Sequence, residues 1–339
     1  MRVLVTGGAG FIGTNLVHEL MKRSEVSFVT VLDALTYAGN RINLEDIAGL
    51  AKFRFIKADI RNFEETHRII DESNCDYVFH LAAESHVDRS ITGPAEFVET
   101  NVLGTFNLLE ACRDTWPTGY DGKRFVHVST DEVYGSLGTD GCFTEDTPYA
   151  PRSPYSASKA ASDHLVQAYF HTYGFPAIVT HCSNNYGPYQ FPEKLIPKTI
   201  ARAMKSDSIP VYGDGKNVRD WIHVSDHVEA LWKILVSGID GETYNIGGDN
   251  EIPNIELVNA ICDTVDEVLS REEGTSRNLI QFVTDRLGHD FRYAIDSSKV
   301  ASQLGWHAQK EFKPSMKETI RWYIDNATWV ETMLVDSSN

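Results

Sequence analysis

Short apolar runs alternate with helical patterns through the first half of the chain. Six runs have the length and composition of buried strands, at residues 3–5, 28–32, 53–56, 77–80, 125–128 and 177–180. Helical spacing of apolar residues falls between them, at residues 16–21, 64–71, 94–113 and 157–173. Strands that alternate with helices in this way predict an α/β fold class, with a doubly wound parallel sheet and right-handed crossovers.

The second half follows a looser pattern. After about residue 185 come loops rich in Pro, Gly and Tyr, and then helical patterns at about residues 193–205, 225–237, 254–269 and 314–328. This arrangement predicts a smaller α/β lobe that closes over the carboxyl ends of the strands. Because no flexible linker separates the halves, we expect a first domain over residues 1–185, a closely packed second domain over residues 186–330, and a tail over residues 331–339 whose end is frayed.

The composition is that of an ordinary globular protein, with 42% apolar and 23% charged residues. The net charge is −17, from 48 acidic and 31 basic residues, and the basic residues are scattered along the chain. A chain with this charge is a poor partner for nucleic acid. Any phosphate-bearing ligand would have to be held by a few local Arg and Lys side chains and by backbone amides.

Five cysteines stand at positions 75, 112, 142, 182 and 262. Their number is odd, and no two of them have C-x-x-C spacing. This pattern predicts free thiols, most of them buried. No apolar run reaches about 18 residues, and Met1-Arg2 leads directly into the first predicted strand. We therefore expect no membrane partner, no signal peptide and a reducing, cytoplasmic setting. No metal site is predicted.

The segment Gly7-Gly8-Ala9-Gly10-Phe11-Ile12-Gly13 directly follows the first predicted strand and opens a helix. Glycines let the backbone turn tightly and approach a pyrophosphate, which then lies on the free amides at the positive end of the helix. Asp33 ends the second strand 20 residues after Gly13, where a carboxylate can accept from both ribose hydroxyls and would repel a 2′-phosphate. This pattern indicates a Rossmann-type site for NAD rather than NADP; a purely structural glycine turn is the alternative.

Two further strand ends suit a dinucleotide. Asp59-Ile60 follows the third strand and could place a carboxylate and a backbone amide at the adenine ring, although Asp59 could equally cap the helix from Asn62. The segment His80-Leu81-Ala82-Ala83 ends the fourth strand with small residues. A sheet edge needs small residues where a cofactor lies across it.

Tyr155 and Lys159 stand four residues apart at the start of a predicted helix, so both side chains can face one site. A phenol with a pKa of about 10 is a poor base at neutral pH. A nearby ammonium and a positive nicotinamide ring would favour the phenolate and lower that pKa. The pair could then take a hydroxyl proton while a hydride leaves the same carbon, with Ser129 and Thr130 as hydroxyl partners at the preceding strand end. A chance pair on a helix is the alternative.

Asp131 and Glu132 directly follow the fifth predicted strand at its carboxyl end, where open α/β sheets place their ligands. Adjacent acids more often lie in solvated loops or cap helices. A ketone formed transiently at one sugar carbon acidifies the neighbouring C–H, and loss of a hydroxyl from the next carbon then needs one base and one acid. Two carboxyl groups with separated pKa values can divide these duties.

Several of these segments together carry a resemblance to a known family. They are the glycine turn, Asp33 with LTYAGN at residues 35–40, AAESHVD at 82–88, TDEVYG at 130–135, YSASKAASDH at 155–164 and NNYGPYQFPEKLIP at 184–197. The chain resembles the dTDP-glucose 4,6-dehydratase family of extended short-chain dehydrogenases/reductases from residue 1 to about residue 325. TDEVYG is the most specific segment, since related epimerases and decarboxylases generally lack the Asp-Glu pair.

The resemblance implies conversion of dTDP-glucose to dTDP-4-dehydro-6-deoxy-glucose, a step of deoxysugar biosynthesis such as that of dTDP-rhamnose. Tyr155 takes the 4-hydroxyl proton while a hydride passes from C4 to bound NAD, and Thr130 steadies the 4-oxygen. Glu132 removes the C5 proton and Asp131 protonates the departing 6-hydroxyl. The hydride then returns to C6, so NAD is recycled within the turnover and is expected to stay bound.

The resemblance also implies a set of binding residues. The expected cofactor contacts are Gly7, Gly10, Phe11, Ile12, Gly13, Asp33, Ala34, Leu35, Thr36, Asp59, Ile60, Leu81, Ala82, Ala83, Ser85, Thr100, Ser129, Tyr155, Lys159 and Asn185. The expected substrate contacts are Ser85, Thr130, Asn184, Lys194, Leu195, Pro210, Val211, Tyr212, Arg219, Asn254, Asp285, Arg286 and His289. Lys194, Arg219 and Arg286 are the expected phosphate partners, although each alone would be interpreted as a surface cation, and Asn254 as a helix cap.

Two positions depart from the family pattern. Ala34 stands where the family usually has Lys, which removes a cation beside the cofactor. Leu287 stands where the family usually has Pro, which could loosen the loop around His289. Neither position belongs to the expected catalytic set.

Other functions and the assembly stay open at this stage. A UDP- or GDP-sugar dehydratase, epimerase or decarboxylase of the same family is one alternative, and a catalytically idle dinucleotide-binding protein is a remote one. The resemblance implies a homodimer in which two helices of each copy form a four-helix bundle. Apolar positions on these helices are Val98, Val102, Thr105, Phe106, Leu109, Ala160, Ala161, Leu165 and Ala168. Both helix faces could instead be filled within one chain.

Overall fold

The structure, a computed structural model, describes residues 1–117, 119–285 and 288–336. Arg286, one of the expected phosphate partners, and Leu287 lie outside these ranges. The strands are β1 (Arg2–Thr6), β2 (Phe28–Asp33), β3 (Phe53–Lys57), β4 (Tyr77–His80), β5 (Arg124–Thr130), β6 (Ala177–Cys182), β7 (Asn184–Tyr186), β8 (Ile209–Tyr212), β9 (Val218–His223), β10 (Thr243–Ile246), β11 (Glu251–Pro253) and β12 (Ile280–Val283).

The helices fall between and after these strands. They are α1 (Phe11–Lys22), α2 (Phe63–Ser73), α3 (Val87–Thr92), α4 (Pro94–Phe97), α5 (Gly104–Thr115), α6 (Pro154–Tyr173), α7 (Leu195–Lys205), α8 (Val224–Ser237), α9 (Asn254–Val268), α10 (Ser298–Leu304), α11 (Phe312–Asp325) and α12 (Ala327–Asp336). Short 3-10 segments occupy Arg41–Ile47, Asp131–Tyr134 and Arg277–Leu279. No helix in these ranges is both long and apolar enough to cross a bilayer.

Seven of the described strands form one parallel sheet in the order β10-β6-β5-β4-β1-β2-β3. Six of them are the six predicted strands, so the predicted α/β fold class is confirmed. The chain runs outward from β1 to β3 on one side and from β4 to β10 on the other. This reversal opens a crevice at the carboxyl ends of the strands, which is where parallel α/β sheets bind ligands.

Helices cover both faces of this sheet, because successive side chains of a strand point to opposite sides. Val3 and Val5 of β1 pack in one apolar cluster with α1 and α8. Leu4, between them, packs in a second cluster with α2, α5 and α6. Burial on both faces explains why the strands have continuous apolar runs instead of an alternating pattern.

The second half of the chain builds its own core and also completes the first. Helices α7, α9 and α11 pack together through Ile200, Leu257 and Ile320, beside small sheets of order β11-β9-β7 and β12-β8. In contrast, β10 pairs with β6, and α8 packs on the central sheet. The division at residue 185 stays a prediction, and the chain crosses back over it. The segment expected as a tail begins within α12.

The helix expected over residues 94–113 is interrupted by a π-helical stretch, Val98–Leu103, between α4 and α5. Such stretches often occur at functional sites. Within it, Asn101 Oδ1 accepts from the Glu84 amide at 2.8 Å, and Nδ2 donates to the Glu84 carbonyl at 3.0 Å and to Ser158 Oγ at 2.8 Å. Asn101 therefore ties the loop after β4 to the start of α6.

Candidate active site

The carboxyl ends of the central strands open into a cleft of about 540 Å³. The five expected catalytic residues all line it, as do the expected cofactor residues except Leu35. Of the expected substrate residues, four line the cleft, namely Ser85, Thr130, Asn184 and Lys194. The others lie outside its lining, namely Leu195, Pro210, Val211, Tyr212, Arg219, Asn254, Asp285 and His289. Sequence reasoning missed several lining residues, among them Tyr37, Arg61, Glu84, Arg89, Glu96, Cys182 and Ser183.

The glycines of the turn after β1 leave its backbone amides uncovered by side chains. Gly7 has φ +70°, and a Cβ there would lie 2.6 Å from the Ala82 amide nitrogen. A Cβ at Gly13 would lie 2.1 Å from the Gly7 carbonyl oxygen. Gly10, the N-cap of α1, offers no side chain to bond the first amides of the helix. These amides, at the positive end of the helix, therefore fit a pyrophosphate.

Asp33 is held rigidly at the end of β2. Its Oδ2 accepts from the Ala9 amide at 2.9 Å, and its Oδ1 accepts from the Leu35 amide at 2.8 Å. Burial raises the pKa of Asp33, and these two hydrogen bonds oppose the rise because they stabilise the carboxylate. Leu35, with φ 56°, thus acts through its backbone and not through its side chain. The fixed carboxylate suits a ribose diol.

Asp59 does not cap α2. Asn62 is the N-cap, and its side chain accepts from the Glu65 amide at 3.2 Å. Asp59 instead accepts hydrogen bonds from its neighbour Arg61, and both side chains line the cleft beside Ile60. The helix-cap interpretation of Asp59 is therefore wrong.

Tyr155 and Lys159 both reach the cleft from the first turns of α6. Ser153 caps this helix in a reciprocal capping box with Ser156, and Pro154 takes the first helical position. Lys159 is buried, and its Nζ donates to the Val128 carbonyl at 2.9 Å. Burial lowers the pKa of Lys159, and the negative charge of Asp163 opposes this shift.

The surroundings of the Tyr155 phenol within the protein itself oppose its ionisation. Burial raises its pKa well above the usual value, Glu132 raises it further, and a hydrogen bond with Thr130 acts in the opposite direction. The charge of Lys159 is not among the largest contributions to this shift. The protein's own side chains therefore disfavour the phenolate, because a desolvated negative charge beside a carboxylate is costly.

A buried network beneath the cleft was missed from the sequence. Asp163, one helical turn after Lys159, accepts from Ser129 Oγ at 2.9 Å. Its carboxylate also lies 3.1 Å from His127 Nε2 and 3.0 Å from His181 Nε2, and all three side chains are fully buried. Burial acts to raise the pKa of Asp163, but hydrogen bonding with both histidines holds that pKa below its usual range. The spacing of Lys159 and Asp163 on one helix face was the available signal.

The same network supports the turn that carries the two acids. The Tyr134 hydroxyl donates to Asn245 Oδ1 at 2.9 Å, so its oxygen accepts from His181 Nδ1 at 2.8 Å. The other ring nitrogen of His181, Nε2, lies 3.0 Å from the Asp163 carboxylate, so both ring nitrogens belong to the network. Tyr134 ends the segment Asp131–Tyr134, so the network links the floor of the cleft to that segment.

The two acids occupy different surroundings. Thr130 caps the turn with its Oγ1, which accepts from the Glu132 amide at 3.3 Å. Asp131 is 2% exposed, and burial raises its pKa well above the usual value, with Glu132 and Asp220 adding to the rise and Arg219 opposing it. Its Oδ2 has no hydrogen-bond partner among the described residues. Asp131 is therefore suited to carry a proton, and the solvated-loop interpretation is wrong for it.

Asn185 on β7 lines the cleft with a fixed orientation. Its Oδ1 lies 2.9 Å from His227 Nδ1, and its Nδ2 donates to the Ser183 carbonyl at 3.0 Å. Because an amide oxygen can only accept, His227 Nδ1 carries the proton. Burial lowers the pKa of His227 to about 3. This histidine from α8 thus fixes the orientation of the Asn185 amide.

The remaining expected substrate residues lie in the second half. Arg219 is 5% exposed, and it donates to the Val218 carbonyl at 2.7 Å and to the Asp290 carbonyl at 3.0 Å, so it is not a surface cation. Lys194 Nζ donates to the Ser85 carbonyl at 3.4 Å. Asn254 is the first residue of α9, whose N-cap is Pro253, so Asn254 is not the cap.

Comparison with known proteins gives consistent matches over nearly the whole chain. A family model described as GDP-mannose 4,6 dehydratase matches residues 4–319. A dTDP-glucose 4,6-dehydratase of Xanthomonas campestris pv. campestris (strain B100) is 56% identical, over 98% of this chain and 95% of that protein. dTDP-glucose 4,6-dehydratase 1 of Escherichia coli (strain K12) is 51% identical, again over 98% and 95%.

Solved structures agree in fold. DesIV, a dTDP-glucose 4,6-dehydratase of Streptomyces venezuelae solved with NAD and TYD bound, superposes with a TM-score of 0.90 at 44% identity, covering 98% of this chain and 100% of that one. A UDP-glucose 4-epimerase of Thermus thermophilus, solved with NAD, gives a TM-score of 0.83 at 31% identity, covering 96% and 99%. The chain therefore belongs to the nucleotide-sugar 4,6-dehydratase family that the matching model describes, among its dTDP-glucose 4,6-dehydratases.

Proposed function

We propose that the protein is a dTDP-glucose 4,6-dehydratase, a hydro-lyase that forms dTDP-4-dehydro-6-deoxy-glucose for deoxysugar biosynthesis. The observation that carries this function is the buried Asp131-Glu132 turn, which lines one cleft with Tyr155 and Lys159. Oxidation at a sugar carbon needs only Tyr155 and Lys159. Loss of water from the neighbouring carbons needs Asp131 and Glu132.

NAD is the cofactor, and when bound it supplies the hydride acceptor at C4 and the hydride donor at C6. The bare amides after β1 would hold its diphosphate, and Asp33 would accept from the adenosine ribose. The oriented amide of Asn185 and the hydroxyl of Ser129 lie at the other end of the expected site. The roles of the remaining cofactor residues inferred from the family resemblance are part of this proposal.

Tyr155 takes the proton of the sugar 4-hydroxyl. Because burial and Glu132 raise the pKa of its phenol, the phenolate must be stabilised once the cleft is filled. The Thr130 hydroxyl contributes by hydrogen bonding to Tyr155, and in this proposal it also steadies the 4-oxygen. Lys159, anchored on the Val128 carbonyl, supplies a fixed positive charge on the same helix face.

Asp131 and Glu132 divide the elimination. Asp131, whose pKa burial raises well above its usual value, donates its proton to the departing 6-hydroxyl. Glu132, which is less buried, removes the C5 proton. A neutral acid beside a base is the pairing that loss of water requires.

The second lobe, residues 186–330, holds most of the nucleotide sugar in this proposal. Lys194 and Arg219 are the described phosphate partners, and β8 with Asp285 and His289 lies toward the base. Arg219 is already anchored by the backbone carbonyls of Val218, Asp290 and Phe291, so binding would order it little further. The base preference rests on these second-lobe residues.

The test is direct. The purified protein is incubated with dTDP-glucose, UDP-glucose or a GDP-hexose, and alkali is then added to reveal the absorbance of a 4-keto sugar. We expect signal with dTDP-glucose at the lowest substrate concentration. Signal with only a UDP or GDP sugar would overturn the substrate assignment, and no signal with any of them would favour the non-catalytic alternative.

We also infer a homodimer that works in the cytoplasm. Val98 is 56% exposed and Phe106 is 39% exposed, so apolar surface on the Pro94–Thr115 segment is uncovered in one chain. Thr105, Leu109 and Ala160, by contrast, are buried within the chain and cannot contact a partner. Four of the five cysteines are buried and all are free, as a reducing compartment allows. Sedimentation as a monomer at micromolar concentration would contradict the dimer.

A further inference from the structure

The corner of the cleft beyond Asp33 holds an ion pair between Asp59, an expected adenine contact, and Arg61, which the proposed function leaves without a role. In the sheet order β1-β2-β3, a dinucleotide whose ribose meets Asp33 at the end of β2 extends its adenine toward the end of β3. The residues after β3 that line the cleft there are Asp59, Ile60 and Arg61. Any role for them in cofactor binding depends on the proposed NAD site.

Arg61 holds Asp59 through three hydrogen bonds. The Arg61 amide donates to Asp59 Oδ1 at 2.9 Å, while Nε and Nη2 of the guanidinium both donate to Oδ2, at 2.9 Å and 2.6 Å. A carboxylate has about four acceptor positions, two on each oxygen. Oδ2 is therefore saturated, and Oδ1 keeps one position free to accept.

The backbone under this pair is fixed. Asn107 Nδ2 on α5 donates to the Ile60 carbonyl at 2.9 Å and to the Arg61 carbonyl at 3.0 Å. Gly104 packs so closely that a Cβ there would lie 2.5 Å from the Ile60 side chain. Because this backbone is held in place, the Arg61 amide and guanidinium together set the orientation of the Asp59 carboxylate.

The negative charge at this corner of the cleft is a second reason to expect a role for Arg61 in cofactor binding. The cleft lining here carries four carboxylates, namely Asp33, Asp59, Glu84 and Glu96. Without compensation they would repel the diphosphate of a dinucleotide. Arg61 contacts Asp59 and lies 3.5 Å from Glu99, so it offsets part of this negative charge.

We propose that Arg61 is a positioning residue for the cofactor, which turns Asp59 so that its free Oδ1 position accepts from the exocyclic amine of adenine. Because the Asp59 carboxylate only accepts hydrogen bonds, it favours a purine with a hydrogen-bond donor at that position. A hypoxanthine ring presents a carbonyl oxygen there, and a carboxylate cannot accept from it. Arg61 therefore increases the preference of the protein for NAD over nicotinamide hypoxanthine dinucleotide.

The experiment measures that preference by competition. Full-length enzyme is equilibrated with mixtures of the two dinucleotides, and the bound ratio is determined by chromatography after denaturation. We expect Arg61→Gln and Asp59→Asn each to lower the NAD preference about tenfold or more. The matched control is Arg68→Gln, an exposed arginine on α2 that pairs with Glu72 away from the cleft, and it leaves the ratio unchanged.

Arg61→Lys separates positioning from charge, because lysine keeps the charge without the two-pronged guanidinium contact. We expect this variant also to lose preference. An unchanged ratio in Arg61→Gln, or equal weakening of both dinucleotides, would overturn the inference, even in an enzyme that still dehydrates dTDP-glucose. Failure of the wild-type protein to bind either dinucleotide would overturn the proposed function instead. The Arg61 side chain is 40% exposed, so the variants should fold.

Discussion

Replacing His227 by Asn should make the protein less sensitive to acid. His227 lies fully buried on α8, and burial lowers its pKa to about 3. An unfolded histidine has a pKa of about 6.5. At pH 5 the unfolded chain therefore binds a proton that the folded chain does not, and the unfolded state is favoured.

The sign and size follow from this difference. The contribution of His227 to the free energy of unfolding is complete above the pKa of the unfolded histidine. It falls as the pH drops below about 6.5 and is fully lost below a pH of about 3. Between pH 7 and pH 5, this one group lowers the free energy of unfolding by ~2 kcal/mol. His127, whose pKa burial lowers to about 4, adds a similar loss.

Asn is the informative replacement because its Nδ2 can occupy the place of the imidazole Nδ1–H and donate to Asn185 Oδ1. The variant loses some packing at every pH but no longer titrates. We expect its urea unfolding free energy to fall between pH 7 and pH 5 by ~2 kcal/mol less than that of the wild type, at matched NAD concentration. His171→Asn, at an exposed position on α6, serves as the control. An equal fall in the wild type and the His227 variant would refute the reasoning.

Three further substitutions test the site. Tyr155→Phe should abolish turnover while the bound NAD content and the thermal midpoint stay unchanged. The control is Tyr173→Phe, at the exposed end of α6. Turnover retained in Tyr155→Phe would contradict the assigned proton transfer. Asp131→Asn should lower kcat by about 10²–10⁴-fold with little change in KM, whereas a loss confined to KM would indicate a binding role. Asp163→Asn should destabilise the fold by ~3–5 kcal/mol, because it removes the carboxylate that compensates the buried Lys159 ammonium. Denaturation beside the exposed Asp71→Asn measures this, and a loss below ~1 kcal/mol would contradict it.

Local patterns were sufficient to predict much of the fold. The six predicted strands and the helices between them follow from apolar periodicity, which depends on neighbouring residues alone. β10 was missed because it is four residues long and joins the sheet through pairing with β6, more than sixty positions earlier in the chain. Periodicity carries no information about such distant pairing.

The candidate site shows the same limit. The motif residues were placed around the cleft because each follows a strand end or shares a helix face. The network of His127, Asp163 and His181 joins three separate elements, so no motif displays it. The lowered pKa expected for Tyr155 depends on Lys159 together with a bound nicotinamide ring and stays a prediction; the opposing effects of burial and Glu132 are ones that only packing reveals.

The return of β10 to the central sheet affects how the protein can be synthesised and engineered. A ribosome that has released only residues 1–185 exposes the outer edge of β6 and the apolar face that α8 later covers. Such an unpaired edge invites pairing with other chains. The cofactor-binding sheet can close only after residue 246 has emerged, and exchanging lobes between relatives at residue 185 would separate β6 from its own neighbour.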